Sequence, residues 1–198
     1  PQRVCDYMRG ALNGLVSALE QAPDSPISQV PILPEAEREQ ILRGFNATRA
    51  DYPQGLTIHQ RFEAQVIERP EAVAAVFLGE HVTYAELNLH ANALAHHLIS
   101  LGVRPDDRVA IVARRGLDTL AGLLAILKAG AGYVPLDPAH PAERLSYLLS
   151  DSAPVVVLTQ SDLRDRLPTL DVPVIDLDRH SWPLSLALDP RVPGLTNE

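Results

Sequence analysis

The chain has 198 residues, 46% apolar and 21% charged, and its 17 basic against 25 acidic side chains leave a formal net charge of −8. That composition is ordinary for a globular chain able to bury its own core; the acidic balance argues against a nucleic-acid partner, and no apolar run reaches the roughly 18 residues of a membrane span. One cysteine, Cys5, excludes an internal disulfide framework and a cysteine-rich zinc site.

Residues 4–19 carry Val4, Tyr7, Met8, Ala11, Leu12, Leu15, Ala18 and Leu19 at helical spacing, an amphipathic helix whose stripe must pack on something. Pro23 and Pro26 stop it, and the prolines between Gln21 and Pro34 read as a stiff, extended connector. A short helix is predicted from Pro34, with Glu35, Glu37 and Glu39 near its positive end and Ile41, Leu42 and Phe45 as its apolar edge. Asn46 to Gly55 reads as irregular.

A different texture begins at Leu56. Thr57-Ile58-His59-Gln60 has capping-box spacing and opens a helix to about Glu68, ended by Arg69-Pro70. Ala74 to Leu78 and Glu80 to Thr83 flank Gly79 as a short β-hairpin. Thr83-Tyr84-Ala85-Glu86 repeats the capping pattern, and the helix behind it places Leu87, Ala91, Leu94, Ala95, Leu98 and Leu101 on one face, with Gly102 beyond its end. Arg108 to Ala113 is a buried strand, Leu117 to Ala129 a helix apolar nearly all round, and Tyr133 to Leu136 a second strand. Pro141 opens a helix with Leu145, Leu148 and Leu149 inward. Val155 to Thr159 is a strand, Leu163 to Leu167 a short helix, and Val172 to Leu177 another strand. The tail from Asp178 shows no period. Strand and helix thus alternate from residue 105 to 177, which implies an α/β fold: a mostly parallel sheet with flanking helices, preceded by a helical tail and linker.

The search for chemistry finds no G-x-S-x-G elbow, H-E-x-x-H, Walker loop or Asp-rich calcium loop. Gly130-Ala131-Gly132 begins like a dinucleotide fingerprint, but Pro135 takes the third glycine's place and the segment leaves a helix instead of opening one, so it reads as a tight helix-to-strand turn. His96 and His97 point about 100° apart on their helix and read as a solvated face; His59, His81, His90 and His180 are scattered, and His140 stands where a helix cap would. Cys5 reads as a small core residue. Arg114-Arg115-Gly116 follows a strand and precedes a helix, at the carboxyl end where ligands sit in open sheets; the two arginines would meet an anion or pair with surface carboxylates. All but one of the basic residues are arginine, which hints at a GC-rich genome; the exception, Lys128, lies near a helix C-terminus, where the dipole stabilises a cation.

Two segments are specific. Val82-Thr83-Tyr84-Ala85-Glu86-Leu87 fits [LV]-T-Y-x-E-L, and Leu127-Lys128-Ala129-Gly130-Ala131-Gly132-Tyr133-Val134-Pro135-Leu136-Asp137 fits L-K-A-G-x-x-Y-V-P-L-D, continued by Pro138 to Leu145. They resemble the first two core motifs of adenylation domains in nonribosomal peptide synthetases. Residues 58–65 and 70–74 are similar to the opening of such a domain. Residues 32–38 and 45–48 are similar to the linker that joins a condensation domain to it, and the helix at 4–19 resembles that condensation domain's last helix. The motif residues Thr83, Tyr84, Glu86, Leu87, Lys128, Ala129, Gly130, Tyr133, Pro135 and Asp137 have structural readings: Thr83 and Glu86 cap a helix reciprocally, Tyr84 packs beside it, Gly130 permits a turn and Pro135 stiffens a strand's exit.

The resemblance implies the partial large N-terminal subdomain of an adenylate-forming enzyme. It implies three parts: residues 1–22 as the terminal helix of a condensation domain, 23–55 as linker, and 56–198 as the N-terminal portion of an adenylation domain. The resemblance implies that the intact enzyme would use ATP and magnesium to activate one amino acid and pass it to carrier-bound phosphopantetheine. Its partners would be the upstream condensation domain, the remainder of the adenylation domain and a downstream carrier domain, with no nucleic acid and no membrane, in the cytoplasm of a bacterium. Because the family's phosphate loop, adenine and magnesium contacts and specificity pocket lie downstream, no catalytic, cofactor-binding or metal-binding residue carries over to this chain, and the piece beginning at Pro1 is expected to be inactive alone. Two other readings stand beside it: part of an acyl-CoA synthetase-type ligase, and a non-catalytic interdomain scaffold.

Overall fold

The structure, a computed structural model, describes residues 2–30, 32–51, 55–178 and 188–193. The chain divides into two units, Pro1–Tyr52 and Pro53–Glu198.

In the first unit, helix α1 spans Gln2–Gln21 and helix α2 spans Glu35–Glu39, continuing as one π-helical turn, Gln40–Gly44. A 3₁₀ turn at Ile27–Gln29 bends the proline-rich connector, which is otherwise irregular. Glu37 ties the two helices together: Tyr7 Oη donates to its Oε1 at 2.6 Å, and Arg3 pairs with the same oxygen. The Tyr7 hydroxyl and then Arg3 hold the Glu37 carboxyl below its usual range. Gly10 lets the connector close on α1, since a Cβ there would lie 3.0 Å from the Ile32 carbonyl oxygen. The α1 stripe of Val4, Met8, Leu12, Leu15 and Leu19 is largely exposed. Cys5 is exposed too, contrary to the expected core position, because it lies off the side of α1 that meets α2.

In the second unit, helix α3 spans Ile58–Glu68 and is followed by an antiparallel hairpin, β1 Val73–Phe77 and β2 Glu80–Thr83. Leu78 and Gly79 both take positive φ at its tip, the handedness that matches the twist of two short strands. Helix α4, Tyr84–Ser100, begins at the expected reciprocal cap: Thr83 N–H donates to Glu86 Oε2 at 2.9 Å, and Glu86 N–H donates to Thr83 Oγ1 at 3.2 Å. It ends before Gly102, whose φ is 93°. Leu101 falls at the cap rather than on the buried face and is exposed.

Four parallel strands follow: β3 Arg108–Val112, β4 Gly132–Leu136, β5 Val156–Thr159 and β6 Val174–Asp176, ordered β4-β3-β5-β6. Helix α5, Leu117–Lys128, joins β3 to β4, and α6, Ala142–Ser152, joins β4 to β5. The chain steps one way from β3 to β4 and then back across β3 to β5. Right-handed crossovers running in opposite directions place their helices on opposite faces. Accordingly Val109, Ile111, Val156 and Leu158 pack with α4 and α5, and Ala110, Val112 and Val157 pack with α6. A third cluster joins the hairpin to α4 and α5 through Val82, Leu87, Ala91, Ala121 and Leu124. Gly122 permits the close approach of α5, for a Cβ there would lie 3.2 Å from Ile111 Cδ1 and 3.3 Å from Leu177 Cδ2.

Pro135 is accommodated because β4 is an outer strand among those described. The predicted helix at 163–167 is a 3₁₀ helix, Ser161–Arg166. His140 does not cap α6: Pro141 precedes that helix without a side-chain cap, and the His140 N–H donates to the Asp137 carbonyl at 3.1 Å. His180 and most of the tail after Asp178 lie outside the described residues; residues 188–193 form neither helix nor strand.

Candidate functional site

Two places in the second unit gather chemistry-bearing side chains. The first is the carboxyl end of the parallel sheet, where the loops after β3 and β5 diverge and a crevice is expected. Here those loops are laced by their own side chains. The Arg114 N–H donates to Gln160 Oε1 at 3.0 Å, and its guanidinium pairs with Asp162, both side chains being exposed. Arg114 therefore meets a surface carboxylate. Thr159 anchors the same end, donating its buried hydroxyl to the Val112 carbonyl at 2.9 Å. A cleft of about 510 Å³ opens beside it, lined by Arg115, Thr119, Pro135 and Asp137 among others. Asp118, in the first turn of α5, has its carboxyl raised by burial and by the neighbouring Asp178.

The second place is built around Lys128. Its side chain is fully buried, the residue being 1% exposed. The helix dipole expected to stabilise it is not what accommodates the charge, because an ammonium taken out of water needs direct partners. Nζ pairs with Glu63 of α3 and lies 2.9 Å from Asp189 Oδ1. The same Asp189 oxygen accepts from Asn88 Nδ2 at 3.1 Å and Asn92 Nδ2 at 3.0 Å. These two amides sit one turn apart on α4 and face the same way. Burial alone would raise the Asp189 carboxyl, but Lys128, Asn88 and Asn92 outweigh it and hold it below its usual range.

His59 lies at the edge of this cluster, its Nε2 3.0 Å from Thr57 Oγ1. Burial, reinforced by the charge on Lys128, lowers its pKa, so the neutral ring is favoured. His96 is drawn in as well, its Nε2 lying 2.9 Å from the Leu188 carbonyl oxygen. A cleft of about 760 Å³ lies alongside, lined by His59, Glu63, His96, Asp189 and Arg191 among others.

The two sequence motifs are thus separated in role. Thr83 and Glu86 cap α4, and Tyr84 packs its ring 5.7 Å from that of Phe62 on α3. Leu87 is buried against α5, and Ala129 joins the core cluster beneath α4 and α5. Gly130 turns the chain with φ of 84°, and the Asp137 carboxylate accepts from the Ala139 N–H at 2.8 Å. Tyr133 is exposed on β4. Lys128 alone among the motif residues reaches into a polar cluster, with partners that sequence reading did not join to it. The available signal was a pair of amides, Asn88 and Asn92, set four apart in the otherwise apolar face of α4. Among the described residues, no three His, Cys, Asp or Glu side chains converge as a metal ion would require. No described helix is long and apolar enough to cross a membrane.

The profile of the AMP-binding enzyme family matches residues 62–193. Malpinin synthetase of Mortierella alpina is 46% identical over 177 residues, covering 88% of this chain and 2% of that protein. Gramicidin S synthase 2 of Brevibacillus brevis is 45% identical over 163 residues, covering 82% of this chain and 4% of that protein. The crystal structure of the nonribosomal peptide synthetase FmoA3 in its α-methyl-L-serine-AMP bound form superposes with a TM-score of 0.74 at 30% identity, covering 96% of this chain and 22% of that one. The chain therefore spans a small fraction of the length of the relatives it matches, which are bacterial and fungal. Its parallel sheet, its two motifs and the profile that spans both agree: this chain belongs to the AMP-binding enzyme family.

Proposed function

We propose that this chain is the leading part of an amino-acid-activating adenylation domain in a nonribosomal peptide synthetase. On this reading residues 1–22 close a condensation domain, 23–55 form the linker, and 56–198 begin the adenylation domain. The observation that carries it is the extent of the structural likeness. The 96% of the chain matched to FmoA3 takes in both units, and the first unit lies outside the span of the family profile. An acyl-CoA-type ligase needs neither the α1 helix nor the proline-rich connector.

The reaction so assigned is attack of an amino-acid carboxylate on the α-phosphate of ATP, giving an aminoacyl-adenylate and pyrophosphate, followed by transfer to a carrier thiol. The described residues offer no cluster of three His, Cys, Asp or Glu side chains suited to a metal ion. Their part in the reaction is architectural: they build the sheet and helix layers on which the remaining domain is mounted. Location in the cytoplasm, carrier-bound phosphopantetheine and a condensation partner belong to the same proposal.

The test is amino-acid-dependent ATP–pyrophosphate exchange by the full-length polypeptide that contains this chain. Exchange stimulated by one amino acid or a narrow set supports the reading. Exchange stimulated by fatty acids and not by amino acids replaces it with the acyl-ligase reading. The 198-residue chain alone is expected to show no exchange above blank.

A further inference from the structure

Residues 188–193 lack helix and strand, Leu188 is 82% exposed and only Pro190 and Val192 are half-buried, so apolar burial alone does not hold this segment in place. Polar anchors do. The Leu188 carbonyl oxygen lies 2.9 Å from the His96 ring. One residue on, a single oxygen of Asp189 accepts from Lys128, Asn88 and Asn92. Charge balance does not require this, because Glu63 already supplies Lys128 with a carboxylate. What Asp189 adds is a fixed point. Three donors from α4 and α5 meet at one atom of an otherwise irregular segment, and Pro190 next to it restricts the backbone further.

We propose that Lys128 is a positioning residue: through Asp189 it fixes the path of residues 188–193, and with it the direction in which the chain leaves the helix layer. Under the adenylation reading above, on which this step rests, that path leads to the part of the enzyme that handles the triphosphate. Lys128 itself touches no substrate. Its loss disturbs the reaction by letting the segment wander and leaves the choice of amino acid unchanged.

The experiment uses the full-length polypeptide and two substitutions. Asp189→Ala cuts the anchor at a half-exposed residue of the segment itself and spares the core, whereas Lys128→Met cuts it from the buried side. Hydrogen exchange is followed for the peptide covering 188–193 and for a core peptide of α4, and pyrophosphate exchange is followed with ATP and amino acid varied separately. Both substitutions are expected to speed exchange of 188–193 about tenfold or more. Any rise in the α4 peptide, which carries Asn88 and Asn92, should be smaller than that at 188–193 in Asp189→Ala. Both substitutions are also expected to lower kcat/KM for ATP about tenfold with the order of amino-acid preference kept, and Asp189→Asn, which still offers an acceptor oxygen, should recover part of both losses.

Unchanged hydrogen exchange at 188–193 in Asp189→Ala overturns the proposal whether or not Lys128→Met folds. So does faster exchange with unaltered kinetics. If the unsubstituted polypeptide shows no amino-acid-dependent exchange, the adenylation reading fails by itself, and the hydrogen-exchange comparison still decides whether Lys128 holds the segment.

Discussion

Lys128 and Asp189 are 61 residues apart in the chain, and the buried ammonium of the one lies 2.9 Å from a carboxylate oxygen of the half-exposed other. A second carboxylate, that of Glu63, meets the same ammonium from α3. Removing one partner of a buried pair typically costs about 3–5 kcal/mol. Glu63→Ala leaves Asp189 in place, so a loss near the lower end, about 3 kcal/mol, is expected in urea unfolding. Combined with Asp189→Ala the two costs should be non-additive, since both act on one ammonium. Additive costs would show that the contacts are independent.

Acid should weaken the second unit in two stages. The folded state lowers the pKa of His59, so the unfolded chain binds the extra proton first; the stability gained from a neutral ring is complete above about pH 6.5 and falls as the pH drops below that value. The folded state also lowers the Asp189 carboxyl, so its contribution is present above about pH 3.9 and is lost as the pH falls through its depressed folded value. Thermal melts from about pH 7.5 to about pH 5 should decline in the unsubstituted chain and flatten in His59→Gln. A decline of equal slope in both would assign it to other groups.

The cap of α4 is local and should behave so. Thr83 joins Glu86 through two backbone N–H groups, one at each end of the box. Thr83→Ala should cost about 1 kcal/mol, within the range for a lost N-cap, seen as a lower midpoint of chemical unfolding with unchanged m-value. Serine at this position keeps the hydroxyl and should lose little.

At Gly122 α5 packs close against its neighbours, with side chains of Ile111 on β3 and of Leu177 3.2 and 3.3 Å from where a Cβ would sit. Gly122→Val forces a branched side chain into that gap. Overpacking of this kind costs about 1–3 kcal/mol, and calorimetry should show a melting point several degrees lower. A melting point at or above that of the unsubstituted chain would mean the α5–sheet spacing is looser than these distances indicate.

Much of this architecture could be read along the chain because its cues are short-range. Periodicity of 3.6 marked α1, α4 and α6, capping spacing placed the start of α4 at Thr83, and glycines at 79, 102 and 130 marked the turns where φ is positive. Alternation of strand and helix implied the parallel sheet, and two continuous motifs pointed to the adenylate-forming family. The partners of Lys128 had no such cue. Glu63, Asn88, Asn92 and Asp189 come from α3, α4 and an irregular segment, and nothing in their spacing along the chain joins them to α5. Read alone, Lys128 was a cation near a helix C-terminus, stabilised by the dipole. Packing of α3 and α4 over α5 removed it from water, and an ammonium without water must find carboxylates. The sequence determined the elements and the family; only the tertiary structure decided that its sole lysine is buried and paired with carboxylates from distant parts of the chain.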